Sequence, residues 1–139
     1  AASRPTARSA AVRLLLDTHA LIWAVTEPSR LGKRARQAIR QASNEVFVSA
    51  VSAWEIATKH RLGKLIGVDA IVTDYAAVIQ KLRVVELPVS QMHALKAGSY
   101  KQAHTDPFDR MLAAQAELEQ MTLVSKDRAL RQFDIELLW

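Results

Sequence analysis

The sequence has no cysteine among its 139 residues. That excludes a disulfide scaffold, thiolate metal ligands and thiol catalysis, and it suits a reducing, cytoplasmic setting. Aromatic residues make up only 6% of a chain that is half hydrophobic, so the core is expected to be aliphatic and rich in alanine. No apolar run approaches the roughly 20 residues that a membrane span needs, and no membrane partner is expected. There are only four glycines, and neither a glycine-rich phosphate loop nor a Gly-x-Ser-x-Gly elbow occurs. Internal repeats, low-complexity segments and interdomain linkers are also missing. Residues 1–11 lack an apolar signal-peptide centre and do not open on Met. They are read as an N-terminal tail, native or left from cloning, which leaves residues 12–139 as one domain.

What is in surplus is positive charge. Nineteen Lys and Arg against fourteen Asp and Glu give +5 and a pI near 9.9, a balance that favours a polyanionic partner, nucleic acid first.

The chain alternates short apolar runs with helical periodicity. Val12 to Leu16 is an unalternating run, which reads as a strand buried on both faces. It stops at Asp17, and Thr18 is expected to cap a helix to Val25 that ends at Glu27-Pro28. Ser29 is expected to cap a second helix, Arg30 to Ala42. Its inner face would hold Leu31, Ala35, Ala38, Ile39 and Ala42, and its outer face Arg30, Lys33, Arg34, Arg36 and Arg40. That outer face is either simply solvated or a strip for RNA phosphates. Glu45 to Val48 is a second strand, followed by a helix from Ser49 to Gly63 that carries Trp54, expected in the core. Asp69 is expected to cap a helix, Arg83 to Leu87 to be a third strand, and Ser90 to cap a helix stopped at Gly98. After a polar loop, Asp106-Pro107-Phe108-Asp109 opens a helix through Glu119. Met121 to Val124 and Phe133 to Leu138 are the last strands. No hairpin signal joins any two strands. The pattern predicts an α/β three-layer sandwich with a central, mostly parallel sheet of four or five strands.

Asp17, Glu55, Asp109 and Asp127 each fall just past a strand or in the opening of the next helix, with Asp106 a fifth candidate. Each also has a plain explanation as a capping residue: Ser52-x-x-Glu55 matches a capping box, Asp106-Pro107 a capped start, and Asp127 follows Ser125 where an acid complements a helix dipole. A parallel sheet, however, gathers these starts along one edge, where ligands bind. Carboxylates crowded there repel one another unless a cation offsets the charge. All-oxygen ligands select a hard ion, Mg²⁺ or Mn²⁺. The chemistry that fits is phosphodiester hydrolysis, in which the ion polarises the phosphate and activates a water. Asp17 and Asp109 are expected as direct ligands, Glu55 as ligand or orienter of the water, and Asp127 as the completing acid positioned by Ser125. His104, beside Asp106, is a candidate for lining the cleft or touching substrate, set against the plain reading of a hydrogen-bonded or exposed histidine. A non-catalytic RNA-binding module of the same fold is the alternative. A response-regulator-like domain is disfavoured, because Asp17 is single and Glu86-Leu87-Pro88 follows the third strand.

Four stretches occur in order: Leu-Leu-Leu-Asp17-Thr18-His-Ala-Leu, Val-Ser-Ala-Val-Ser-Ala-Trp-Glu55-Ile, His104-Thr-Asp106-Pro-Phe-Asp109-Arg-Met-Leu-Ala-Ala-Gln-Ala and Leu-Val-Ser125-Lys-Asp127-Arg-Ala-Leu. Together they resemble the motifs of PIN-domain proteins, and more closely the VapC-type toxins of bacterial toxin–antitoxin pairs. The resemblance runs from about Leu14 to Trp139. It implies a PIN-like sheet, Mg²⁺- or Mn²⁺-dependent endoribonuclease activity, frequent homodimerisation and a cognate antitoxin whose tail covers the acidic cleft. By position it makes Asp17, Glu55 and Asp109 the core acids and Asp127 the fourth, with Thr18, Ser125, Asp106 and His104 in supporting places.

Overall fold

The computed structural model describes residues 11–139, so all but the last residue of the expected N-terminal tail lies outside the described residues. Five strands form one sheet: β1 (Arg13–Leu16), β2 (Glu45–Ser49), β3 (Val85–Leu87), β4 (Thr122–Val124) and β5 (Leu137–Leu138). Their order is β3-β2-β1-β4-β5, and every neighbouring pair is parallel. Seven helices connect and cover them: α1 (Thr18–Thr26), α2 (Lys33–Arg40), α3 (Ala50–Arg61), α4 (Asp69–Thr73), α5 (Tyr75–Leu82), α6 (Gln91–Ser99) and α7 (Pro107–Glu119).

The central strand explains the layering. Leu14 and Leu16 point into one core with Val46, Val48 and Val124, under Leu21, Ala35 and Ile56 from the helices. Leu15 points the other way, into a second core with Phe47, Leu87 and Leu123, under Leu112, Ala113 and Ala116 of α7. All three leucines are essentially inaccessible. A strand without alternation is what a sheet covered on both faces requires. The expected three-layer sandwich is therefore observed, with five strands, all parallel.

Several boundaries differ from the sequence-based reading. Pro28–Arg30 forms a short 3-10 turn, and α2 starts only at Lys33 with Gly32 at its cap position. A Cβ on Gly32 would fall 2.5 Å from the backbone carbon of Trp139, so that close approach requires glycine there rather than a capping serine. Asp74, not Asp69, caps the helix at Tyr75. Asp69 instead faces His60 at 2.6 Å. Arg83 is left-handed (φ 59°) and ends α5, which delays β3 to Val85. Helix α6 runs through Gly98 to Ser99. Val51, Ser52, Glu55 and Ile56 take the buried face of α3. That turns Trp54 outward, 61% exposed and edge-on to Phe108, instead of into the core. No helix among the described residues is long and apolar enough to cross a membrane.

Candidate metal centre

The strand order reverses direction at β1, whose two neighbours, β2 and β4, are reached by crossovers on opposite sides. Crevices at the carboxyl ends of strands form at such a switch point. The Asp17 amide bonds to the Val124 carbonyl at 3.0 Å, placing Asp17 beside Ser125 at the ends of β1 and β4. Asp17, rather than Thr18, caps α1: its Oδ1 accepts from the Ala20 amide at 2.8 Å. Thr18 is left free for another task. Its hydroxyl donates to Glu55 and lies 3.1 Å from Ser52 Oγ.

Glu55 is not a capping-box residue. Ser49 caps α3 by accepting from Val51, and Glu55, 3% exposed, receives Thr18 on one oxygen and the Lys59 ammonium on the other. Lys59, one turn on, also senses Asp106 and Asp109, and it lies over the Phe108 ring at 5.7 Å. Burial works against its charge, and the Glu55 contact and the neighbouring acids together hold its pKa above the ordinary lysine value.

Asp106 does cap α7, with Oδ1 accepting from Phe108 at 2.9 Å and Asp109 at 3.3 Å. Asp109 lies in the first helical turn, its Oδ2 2.9 Å from His104 Nε2. His104 is held by a collar. Arg110 donates to the carbonyls of Ala97, Tyr100, Gln102 and His104 at 2.6–3.1 Å, fixing the loop before α7 against the helix itself. Asp127 caps the 3-10 turn Arg128–Gln132 by accepting from Ala129 at 2.9 Å, and its own amide bonds to Ser125 Oγ.

Four of the expected acids thus share one edge, electrostatically in contact. Asp17 is raised from 3.8 to about 6, first by burial, against hydrogen bonds from Ser125 and Ala20, and further by Glu55 and Asp127. Asp109 is likewise raised to about 6, again first by burial, with His104 opposing and Asp106 and Glu55 adding. The tightest knot is His104, Asp109 and Asp127, which offer one ligand atom each, all within 4.8 Å of one another. Asp127 also borders a second depression with Asp17, His19 and Trp23, which links the knot to the central strand.

The donor set suits a divalent cation. It combines several carboxylate oxygens with one imidazole, no thiolate, and two carboxyls whose charge is disfavoured until a cation arrives. Of the basic residues expected on α2, Arg34 lines a depression beside the acids, while Lys33, Arg36 and Arg40 do not border the acid cluster. His60 and His93 are tied to Asp69 and Glu119. Lys59 and Arg110 were not anticipated. The i, i+4 spacing of Glu55 and Lys59 was the one available signal for the first, and none pointed to the second.

Comparison with known proteins agrees with this architecture. The chain is 32% identical over 121 residues to Ribonuclease VapC22 of Mycobacterium tuberculosis, covering 85% of this chain and 89% of that protein. A chain of VapBC2 from Rickettsia felis, solved bound to a promoter DNA fragment, superposes with a TM-score of 0.68 at 14% identity, over 91% of this chain and 98% of that one. A chain of VapBC-1 from nontypeable Haemophilus influenzae gives 0.64 at 16%, over 91% and 97%; likenesses at such low identity establish the fold. The family model described as PIN domain matches residues 14–136, and the chain belongs to that family.

Proposed function

We propose that this protein is an endoribonuclease, the toxin of a toxin–antitoxin pair, hydrolysing RNA phosphodiester bonds with Mg²⁺ or Mn²⁺. The observation that carries the reading is the meeting of Asp17, Glu55, Asp109 and Asp127, far apart in sequence, in one cluster where two carboxyls are raised to about 6. The similarity to a ribonuclease over most of both chains supports the choice of RNA, as does the net charge of +5.

Asp109 and Asp127, with His104 alongside and Asp17 across the second depression, would hold the ion. When bound, a divalent cation there supplies polarisation of the phosphate and a lowered pKa for attacking water. The chain's own contributions are positional. Thr18 and Lys59 fix the two oxygens of Glu55, which leaves that carboxylate able to orient a water without swinging. His104, held by the Arg110 collar, fixes Asp109 and lines the mouth of the cleft. Asp106 and Ser125 hold the backbone on which Asp109 and Asp127 ride.

An antitoxin segment covering the acidic cleft and a homodimer belong to the same reading; the solved neighbours include VapBC complexes. The test is cleavage of mixed RNA with Mg²⁺ or Mn²⁺, with and without EDTA. Asp17→Asn and Asp109→Asn are each expected to lower cleavage by at least about 100-fold, with far-ultraviolet circular dichroism unchanged. Undiminished cutting by either variant, or equal cutting in EDTA, would remove the assignment.

A further inference from the structure

Beside the acids lies a depression of opposite character. It has a volume of about 560 Å³, and its walls include Arg34 from α2, Lys126, Arg128 and Arg131 from the segment after β4, and Trp139. None of the side chains lining it is acidic. Among the described residues, none of these four cations lies within 4.0 Å of a carboxylate. Lys59 and Lys96 are paired with Glu55 and Glu117; other lysines and arginines without a carboxylate partner, such as Lys33 and Lys64, do not line this hollow, so what sets these four apart is that they converge. Four positive side chains around one hollow repel one another, so their convergence calls for an anion supplied from outside.

The position of this hollow says which anion. Lys126 borders both it and the depression that holds Asp17 and Asp127. Asp127 in turn borders the hollow with His104, Asp106 and Asp109. The three depressions therefore follow one another along the sheet edge, passing from acids to cations at the Lys126-Asp127 pair. We propose that the Arg34–Lys126–Arg128–Arg131 hollow is a backbone-phosphate subsite that holds the RNA strand to one side of the scissile bond. This rests on the ribonuclease reading above. It adds the direction in which the strand leaves the acids, and a source of affinity. An RNA laid across clustered carboxylates is repelled there, so most of its binding must come from neighbouring phosphates. A polymer with regularly spaced negative charges is the ligand that can occupy the acid cluster, through a cation, and this hollow at once.

The test uses the full protein, with Arg128→Ala/Arg131→Ala as one variant and Lys126→Ala as another; all three side chains are exposed, and circular dichroism verifies folding. Binding of a fluorescent single-stranded RNA is titrated in EDTA at several salt concentrations, where hydrolysis does not run. Losing two phosphate contacts makes the slope of log K against log salt shallower by about 1.4, which amounts to about 25-fold weaker binding at 0.1 M salt. With metal present, KM for the same RNA should rise by a comparable factor while kcat stays within about twofold. Replacing single flanking phosphates by neutral methylphosphonates should weaken wild-type binding at one or two positions on one side of the cut, and do nothing further in the double variant. An unchanged salt slope and KM would overturn the proposal, as would RNA binding too weak to detect in the wild type. Loss of binding to polyglutamate with RNA binding intact would overturn it as well, by assigning the hollow to an acidic peptide. A wild-type protein that binds RNA but cuts none would sink the ribonuclease reading alone, and the salt slope would still decide the subsite.

Discussion

Asp17 is a carboxyl with 8% of its surface exposed, capping one helix and facing two other acids. Moving it from 3.8 to about 6 corresponds to roughly 3 kcal/mol held against the folded state above pH 6. The sign follows from proton counts. Between pH 3.8 and about 6 the folded protein keeps a proton that the unfolded chain has lost, so stability falls as pH rises through that window. In EDTA, the melting temperature of the wild type should therefore drop between pH 5 and pH 7.5. Asp17→Asn should flatten that drop and melt higher at pH 7.5. If the two proteins show the same pH profile in differential scanning calorimetry, the buried charge is not the cause. At this scale sequence was most informative about the acids themselves and least about what holds them. Spacing to strand ends marked Asp17, Glu55, Asp109 and Asp127. The capping reading could not be separated from the cleft reading, because Asp17, Asp106 and Asp127 do both. Only Glu55, bonded to Thr18 and Lys59 instead of its own helix start, resolves cleanly.

Among the elements, the loop between α6 and α7 takes more hydrogen bonds from Arg110 than from any other side chain. From within α7, Arg110 satisfies three of its carbonyls, those of Tyr100, Gln102 and His104, and that of Ala97 in the last turn of α6. Arg110→Ala should destabilise by about 2–4 kcal/mol, since it strands those carbonyls. It should also lower cleavage about tenfold or more, as the separation of His104 from Asp109 is no longer fixed. Hydrogen exchange at residues 100–105 should quicken before the rest of the fold responds; protection equal to wild type would count against the collar. A second check lies at the join of α2 and β5. Gly32→Ala should cost about 1–3 kcal/mol by pushing Trp139 from its seat, read as altered near-ultraviolet circular dichroism from the Trp23–Trp139 pair. Element type was largely legible from periodicity and the missing hairpin signals. The ends of elements were not: Gly32 answers to Trp139, remote in sequence, Arg83 takes a left-handed turn where glycine or asparagine is the usual signal, and Gly98 continues a helix that a glycine commonly ends. Trp54 shows the same limit: its position on a half-apolar helix suggested burial, but the deep face of α3 was already occupied by Ser52 and Glu55 for the sake of the cleft.

For the molecule as a whole, charge is distributed unevenly: an acidic knot at the switch point within a chain of net charge +5. A cation that binds only the folded form stabilises it by mass action, by about 2.7 kcal/mol at a hundredfold excess over Kd, or roughly 8–10 °C for a domain of this size. Mn²⁺ should therefore raise the wild-type melting temperature by that order, and Asp109→Asn should remove most of the rise. An equal rise in the variant would place the ion elsewhere. The sheet order itself has a consequence for the protein's birth. Asp17 lies near the start of the domain and Asp127 near its end, yet they meet because β4 docks against β1 only after β2, β3 and seven helices have been laid down between them. A nascent chain emerging from the ribosome carries its first acids unassembled until that final docking. On the ribonuclease reading, topology alone therefore delays the assembly of the cleft, and a segment that covers it has nothing complete to cover before β4 has docked.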